Sequence, residues 1–338
     1  MKAVRRHRRT AGASPGVAPF QILSLSGGGY RGLFSAIILE DFENKAGKPL
    51  RECFDLVAGT SIGGILACGI ATGVPSERIR KEFERLGTRV FERPQVTVLG
   101  RKLFELPRVG LLSARYSRSG LEEAVQGVLG DNAEISLASL TKPLIVPAVS
   151  ATTSEAVVFE SGRNSGSNGH ISLKDVAFAT SAAPTFFPEH NISGNSLVDG
   201  GIIANAPDVV AIIKAMTTFG RKADEIRLLS IGTTGAASGE VYRPNRASGI
   251  VGWMMARNLF GLTVTAQQNL AVSLSTDLLG HRAVRVDYTA DARRGKVIGL
   301  DKAGETATDT LKGLASQALD SAYRTSGGTI TSMLRHTA

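Results

Sequence analysis

Twice within its first 72 residues the chain runs a short apolar stretch into a glycine cluster and out into helical spacing. The first passage is "FQILSLSGGGYRGLF", residues 20 to 34, and the second is "FDLVAGTSIGGIL", residues 54 to 66. Phe20 to Ser26 reads as a buried strand, and Leu33 to Asn44 places Leu33, Ile37, Ile38 and Phe42 on one side of a helix. Phe54 to Ala58 reads as a second strand, and Ile62 to Thr72 as a helix of small residues able to pack tightly on a sheet. Two strand–turn–helix passages in succession argue for a layered α/β fold with a largely parallel sheet.

The rest of the chain keeps that alternation. Helical patterns end near Val90 and cover Ser119 to Leu129, Ser172 to Ala183 and Pro207 to Phe219. "KPLIVPAVSATT" and "SEAVVFES" read as neighbouring strands, "NSLVDGG" as a short strand and turn, and "IRLLSIGT" as a late buried strand. From Arg246 onward long helical stretches, about 249 to 279 and 303 to 323, flank a strand at His281 to Asp287. The expected organisation is a disordered basic arm over 1–18, a catalytic domain over 19–245, and a mainly helical extension over 246–338 packed on the core.

Composition excludes more than it assigns. In 338 residues, 43% apolar and 20% charged, there is material for a substantial core. Five of the nine net positive charges come from Lys2, Arg5, Arg6, Arg8 and Arg9, and the first acidic residue is Glu40. The body is therefore only mildly basic, and no nucleic-acid polymer is expected as a partner. No run approaches the 18 apolar residues of a membrane span, and no apolar segment with a cleavage site follows the basic arm. Cys53 and Cys68, the two cysteines, have neither metal-type spacing nor a disulfide framework, which fits a reducing cytoplasm.

Gly27, Gly29 and Gly32 fit G-x-G-x-x-G, the dinucleotide-binding fingerprint. That fingerprint expects an acidic residue about 20 positions on, at the end of the second strand. Here Glu52 and Asp55 come too early, and the second strand ends in a serine turn. No G-x-x-x-x-G-K-[ST] occurs either. The second cluster, Gly59-Thr60-Ser61-Ile62-Gly63, is a G-x-S-x-G between a strand and a helix, the setting of a nucleophile elbow. Gly59 and Gly63 let the chain turn so that Ser61 Oγ stands clear, with the helix N-terminus aimed at the reacting centre.

A serine needs a base. His7 lies in the arm, His170 in a polar loop and His336 at the chain end, while His190 or His281 could complete a triad. Asp199, at a strand end and followed by two glycines, could instead accept directly from the serine hydroxyl, or could stabilise its own turn. Gly27, Gly28 and Gly29 could offer amides to an oxyanion. Arg31 either braces that loop or is simply an arginine on its surface.

"GGGYRG", "GTSIGG" and "DGG", in that order, together with "SAAPTFFP" at 181 to 188, resemble the patatin-like phospholipase family over about residues 20 to 232. The resemblance implies a three-layer α/β/α fold with a central, mostly parallel sheet. It also implies a Ser–Asp dyad without histidine: Ser61 as nucleophile, Asp199 as base, and Gly27, Gly28, Gly29 with Arg31 as the oxyanion loop. It implies cleavage of phospholipid acyl esters through an acyl-enzyme, with no metal. Ser26 departs from the pattern, since many members carry an aspartate there.

"LSLSGGGYRGLF" and the C-terminal extension look like the bacterial CBASS-type phospholipase effectors of antiphage defence. That likeness implies activation by a cyclic dinucleotide or oligonucleotide and degradation of the cell's own membrane. The expected setting is a cytoplasmic protein working peripherally at the inner membrane. An enzyme so harmful needs an inactive resting state, whose control is expected in the C-terminal extension through oligomerisation or a cap. Residues 96 to 112 interleave apolar side chains with Arg101, Lys102 and Arg108, a pattern suited either to a membrane-facing lid or to an ordinary packed excursion. The competing expectations are a lipid acyl hydrolase without nucleotide control and a non-catalytic lipid-binding protein of the same fold.

Overall fold

The computed structural model describes residues 18–91, 97–98, 101–102, 115–236 and 259–338. The basic arm and most of 96–112 lie outside these residues, as do positions 249–258 of the expected long helix.

Strand β1 (Phe20–Leu25) is buried along its whole length and runs into α1 (Gly32–Ala46). Next come β2 (Leu56–Gly59), α2 (Ile62–Thr72) and α3 (Ser76–Val90). A two-residue pair, β3 (Thr97–Val98) with β4 (Arg101–Lys102), precedes α4 (Arg118–Leu129). Then follow β5 (Leu144–Ser150), β6 (Ala156–Glu160), α5 (Leu173–Ser181), β7 (His190–Ile192) and β8 (Asn195–Asp199). The chain continues through α6 (Gly201–Ala204), α7 (Asp208–Thr217), β9 (Ile226–Ile231) and β10 (Gly235–Ala236). It closes with α8 (Leu259–Leu279), β11 (Ala283–Val286), β12 (Thr289–Ala290), α9 (Ala292–Gly295) and α10 (Glu305–Leu334).

The central sheet has the order β11-β9-β1-β2-β5-β8-β7, with β6 also on β5. The pairings from β11 to β5 are parallel, and β6, β7 and β8 join antiparallel. Parallel strands must be covered on both faces, and β1 shows how. Its alternate side chains point to opposite faces. Phe20 and Ile22 enter a smaller core shared with α7, and Leu23 and Leu25 enter the main core with α1 and α2. The result is a three-layer α/β/α fold. Helix α2, "IGGILACGIAT", is apolar all round and correspondingly buried.

The C-terminal third is built into these layers. Strand β11 extends the parallel half of the sheet, and α10 packs along α1. Gln21 Nε2 donates to the carbonyls of Cys53 (2.7 Å) and Met333 (2.9 Å), which ties the last turn of α10 beneath β1. Among the described residues no helix is long and apolar enough to cross a membrane.

Candidate active site

Leu25 and Gly59 are partners in the parallel register, so the turns after β1 and β2 emerge side by side at the same sheet edge. That edge, at the carboxyl ends of parallel strands, is where α/β sheets place their ligands. Ser61 sits in the second turn with φ 55° and ψ −127°, a conformation costly for a residue with a side chain. The surroundings enforce it. A Cβ on Gly63 would lie 2.3 Å from the Leu25 carbonyl oxygen, and one on Gly59 would lie 2.0 Å from that of Gly63. Only glycines let β1, β2 and α2 converge this closely. The Ser61 N–H donates to Thr180 Oγ1 (2.9 Å), whose hydroxyl donates onward to the Pro147 carbonyl (2.6 Å).

Asp199 arrives from the antiparallel side, paired with Ala148 at the end of β8. Ser61 Oγ donates to its Oδ2 at 2.6 Å, and the Gly201 N–H donates to its Oδ1 at 2.7 Å. Burial pushes the Asp199 carboxyl up to about 6, against the lowering pull of the Ser61 and Gly201 hydrogen bonds.

The glycine loop is more specialised than its sequence suggests. The Gly27 N–H donates to the Asn205 carbonyl at 2.9 Å, so the expectation that Gly27 offers its amide to an oxyanion is corrected. Its carbonyl accepts from Thr233 Oγ1 (2.8 Å) and Asn205 Nδ2 (3.3 Å). The N–H groups of Gly28 and Gly29 have no partner among the described residues. Gly29 has φ +58°, and a Cβ there would strike the Leu300 carbonyl oxygen at 2.1 Å. Arg31 Nε donates to the Gly28 carbonyl at 3.3 Å, a brace from within the loop. Ser26, the departure from the family pattern, accepts from Arg285 Nη1 at 2.9 Å.

A cavity of about 940 Å³, counting its mouth, opens on Ser61 and Asp199. Ile65, Phe83 and Val128 line it between α2, α3 and α4, while Phe186 and Phe260 stand with its other wall residues. No described histidine lines it. His190 is buried against Phe178 and pairs with Asp175 at 3.0 Å, His336 lies 3.2 Å from Asp55, and His281 is exposed. Thr180, Asn205 and Thr233 carry no local motif. Their roles come from hydrogen bonds across 119, 178 and 206 positions of chain.

A serine at a strained strand-to-helix turn, opening on an apolar cavity, is the arrangement of a serine hydrolase acting on apolar acyl esters. A sequence model of the patatin-like phospholipases matches residues 23–212. A Pseudomonas aeruginosa protein described as a cGAMP-activated phospholipase is 31% identical over 307 residues, covering 88% of this chain and 87% of that one. An Escherichia coli protein of the same description is 30% identical, with 88% of each chain covered. Patatin-like protein 1 of Arabidopsis thaliana is 30% identical, covering 86% of this chain and 75% of that one. The chain belongs to the patatin-like phospholipase family and is a lipid acyl hydrolase.

Proposed function

We propose that this enzyme cleaves acyl esters of membrane phospholipids through Ser61 and Asp199, and that a cyclic dinucleotide switches it on. The observation that carries the chemistry is the 2.6 Å hydrogen bond from Ser61 Oγ to Asp199 Oδ2 at the opening of an apolar cavity. Asp199 Oδ2 takes the hydroxyl proton as Oγ bonds to the acyl carbonyl carbon. The carbonyl electron pair moves onto oxygen, where the amides of Gly28 and Gly29 receive it. When the adduct collapses, the bond to the glycerol oxygen breaks, and that oxygen takes the proton back from Asp199. Water then repeats the sequence on the acyl-serine: its proton goes to Asp199 and then to the departing Ser61 Oγ, and a fatty acid is released.

An Asp199 carboxyl near 6 suits this role, because it is mostly ionised at neutral pH yet basic enough to accept a proton in the transition state. Nucleotide control is supported by the relatives described as cGAMP-activated, which align along nearly nine tenths of this chain. On this reading the protein works from the cytoplasm, peripherally at the inner membrane. The test is hydrolysis of a fluorogenic phospholipid in vesicles by wild type, Ser61→Ala and Asp199→Asn, each with and without cGAMP. The expected result is turnover by wild type only, and only with nucleotide. Turnover without it would leave the hydrolase and remove the switch, and turnover by Ser61→Ala would remove the dyad.

A further inference from the structure

The oxyanion loop is held from behind by two polar ties that open onto one groove. In the first tie, Arg285 of β11 donates Nη1 to Ser26 Oγ (2.9 Å) and Ser230 Oγ (2.7 Å), and Nη2 to Asp287 Oδ2 (2.6 Å). In the second, Asn205 donates Nδ2 both to the Gly27 carbonyl (3.3 Å) and to Gln268 Oε1 on α8 (2.6 Å). Between α8 and the β11–β12 turn lies a groove of about 680 Å³, counting its open side. Arg285, Gln268, Asn269, Ser273, Tyr288 and Thr289 line it together with Val272 and the Asp287 carboxylate, whose charge is paired with Arg285, and none of them lines the acyl cavity.

The groove's chemistry points to one kind of ligand. A guanidinium carries five N–H donors, and the three contacts of Arg285 leave two without a partner among the described residues. Free guanidinium donors in a concave site suit a phosphate. Asn269 and the amide nitrogen of Gln268 likewise have no partner among the described residues, and they can meet the polar edge of a base. Tyr288 contributes an aromatic ring, with the Arg294 guanidinium 5.8 Å from its centroid.

We propose that this groove binds a nucleotide-sized phosphodiester, and that its occupancy reaches the oxyanion loop through Arg285–Ser26 and Gln268–Asn205–Gly27. The assignment rests on the nucleotide-control reading above and adds the place where that control is exerted. A ligand drawing on Arg285 and Gln268 changes both ties at once, giving it the differential affinity for two loop states that a switch requires.

Hydrogen exchange on the full chain with cGAMP, together with titration of Ser273→Trp, tests this. Ser273 is exposed on α8, and a tryptophan there fills the groove. The expected result is cGAMP protection of residues 266–273 and 284–289, with at least tenfold weaker binding and lost stimulation in Ser273→Trp. Protection elsewhere, with wild-type affinity in the variant, would overturn the site and leave nucleotide control standing. Absence of cGAMP binding and stimulation in wild type would overturn both. Glycerophosphoethanolamine, a soluble lipid headgroup without a base, is the competing probe. Equal protection by it at the same concentration would overturn the assignment to a nucleotide.

Discussion

Asn205 holds Gly27 from both sides: its backbone carbonyl accepts the Gly27 N–H at 2.9 Å, and its side-chain amide returns to the Gly27 carbonyl at 3.3 Å. The peptide before the two free amides is thereby fixed, and catalysis by preorganised donors depends on such fixing. Asn205→Asp keeps the shape, removes the side-chain donor and sets a carboxylate against a carbonyl. We expect kcat to fall by about tenfold to a hundredfold with KM changed less than about threefold, since direct loss of an oxyanion donor costs about 10²–10³. Asn205→Ser, which keeps a donor, should recover part of the loss. A KM rise with kcat intact would mean that Asn205 serves substrate binding instead.

If Asp199 is the base, kcat/KM on a soluble ester should rise with pH through about 6 and level off above it. Below that point the carboxyl is protonated and cannot take the serine proton. A pH–rate profile flat down to pH 4.5 would separate Asp199 from proton transfer.

The same buried carboxyl is a cost to the fold. The folded chain keeps the Asp199 proton up to about pH 6, whereas the unfolded chain releases it near the ordinary value of 3.8. The contribution of this group to stability is therefore full below about pH 4, and it is lost as pH rises through 6. Asp199→Asn should unfold at higher denaturant concentration than wild type at pH 8, by up to about 3 kcal/mol, while losing turnover. The advantage should vanish near pH 4. A variant less stable than wild type at pH 8 would contradict this account.

Gly63→Ala places a methyl group 2.3 Å from the Leu25 carbonyl oxygen, where two strands and a helix meet and no flexible side chain can yield. We expect loss of more than about 3 kcal/mol or failure to accumulate folded protein, although alanine raises helix propensity. Thermal melts of the purified variant measure this directly.

Val128 Cγ1 lies 3.2 Å from the Cβ position of Gly69, which is seven residues into α2 and thus about 10 Å from the start of that helix. Val128 therefore lines the far part of the cavity. Val128→Trp should lower turnover of long-chain nitrophenyl esters at least tenfold while sparing the butyrate. Uniform loss across chain lengths would place the acyl chain elsewhere.

Much of this protein is legible along the chain. Both strand–turn–helix passages, the paired strands β5 and β6, and the serine and aspartate turns follow from apolar runs interrupted by glycine, because local sterics decide where a backbone can turn. Helix α10 was legible only in part. The helical pattern read from the sequence ends near 323, yet the helix continues through Gly327 and Gly328 to Leu334, where burial of Ile330, Met333 and Leu334 outweighs the two glycines.

Residues 1–17 of the arm and most of 96–112, on which the expectation of a membrane-facing role rests, fall outside the described residues. What the chain alone could not decide was which glycine amide is free and what holds the loop. Those outcomes depend on Asn205, Thr233 and Arg285, which lie 178, 206 and 259 positions from their loop partners. Sequence spacing encodes the shape of each turn. Only the packed sheet edge, where turns from distant strands compete for the same donors and acceptors, decides which amide is spent on structure and which is left without a partner among the described residues.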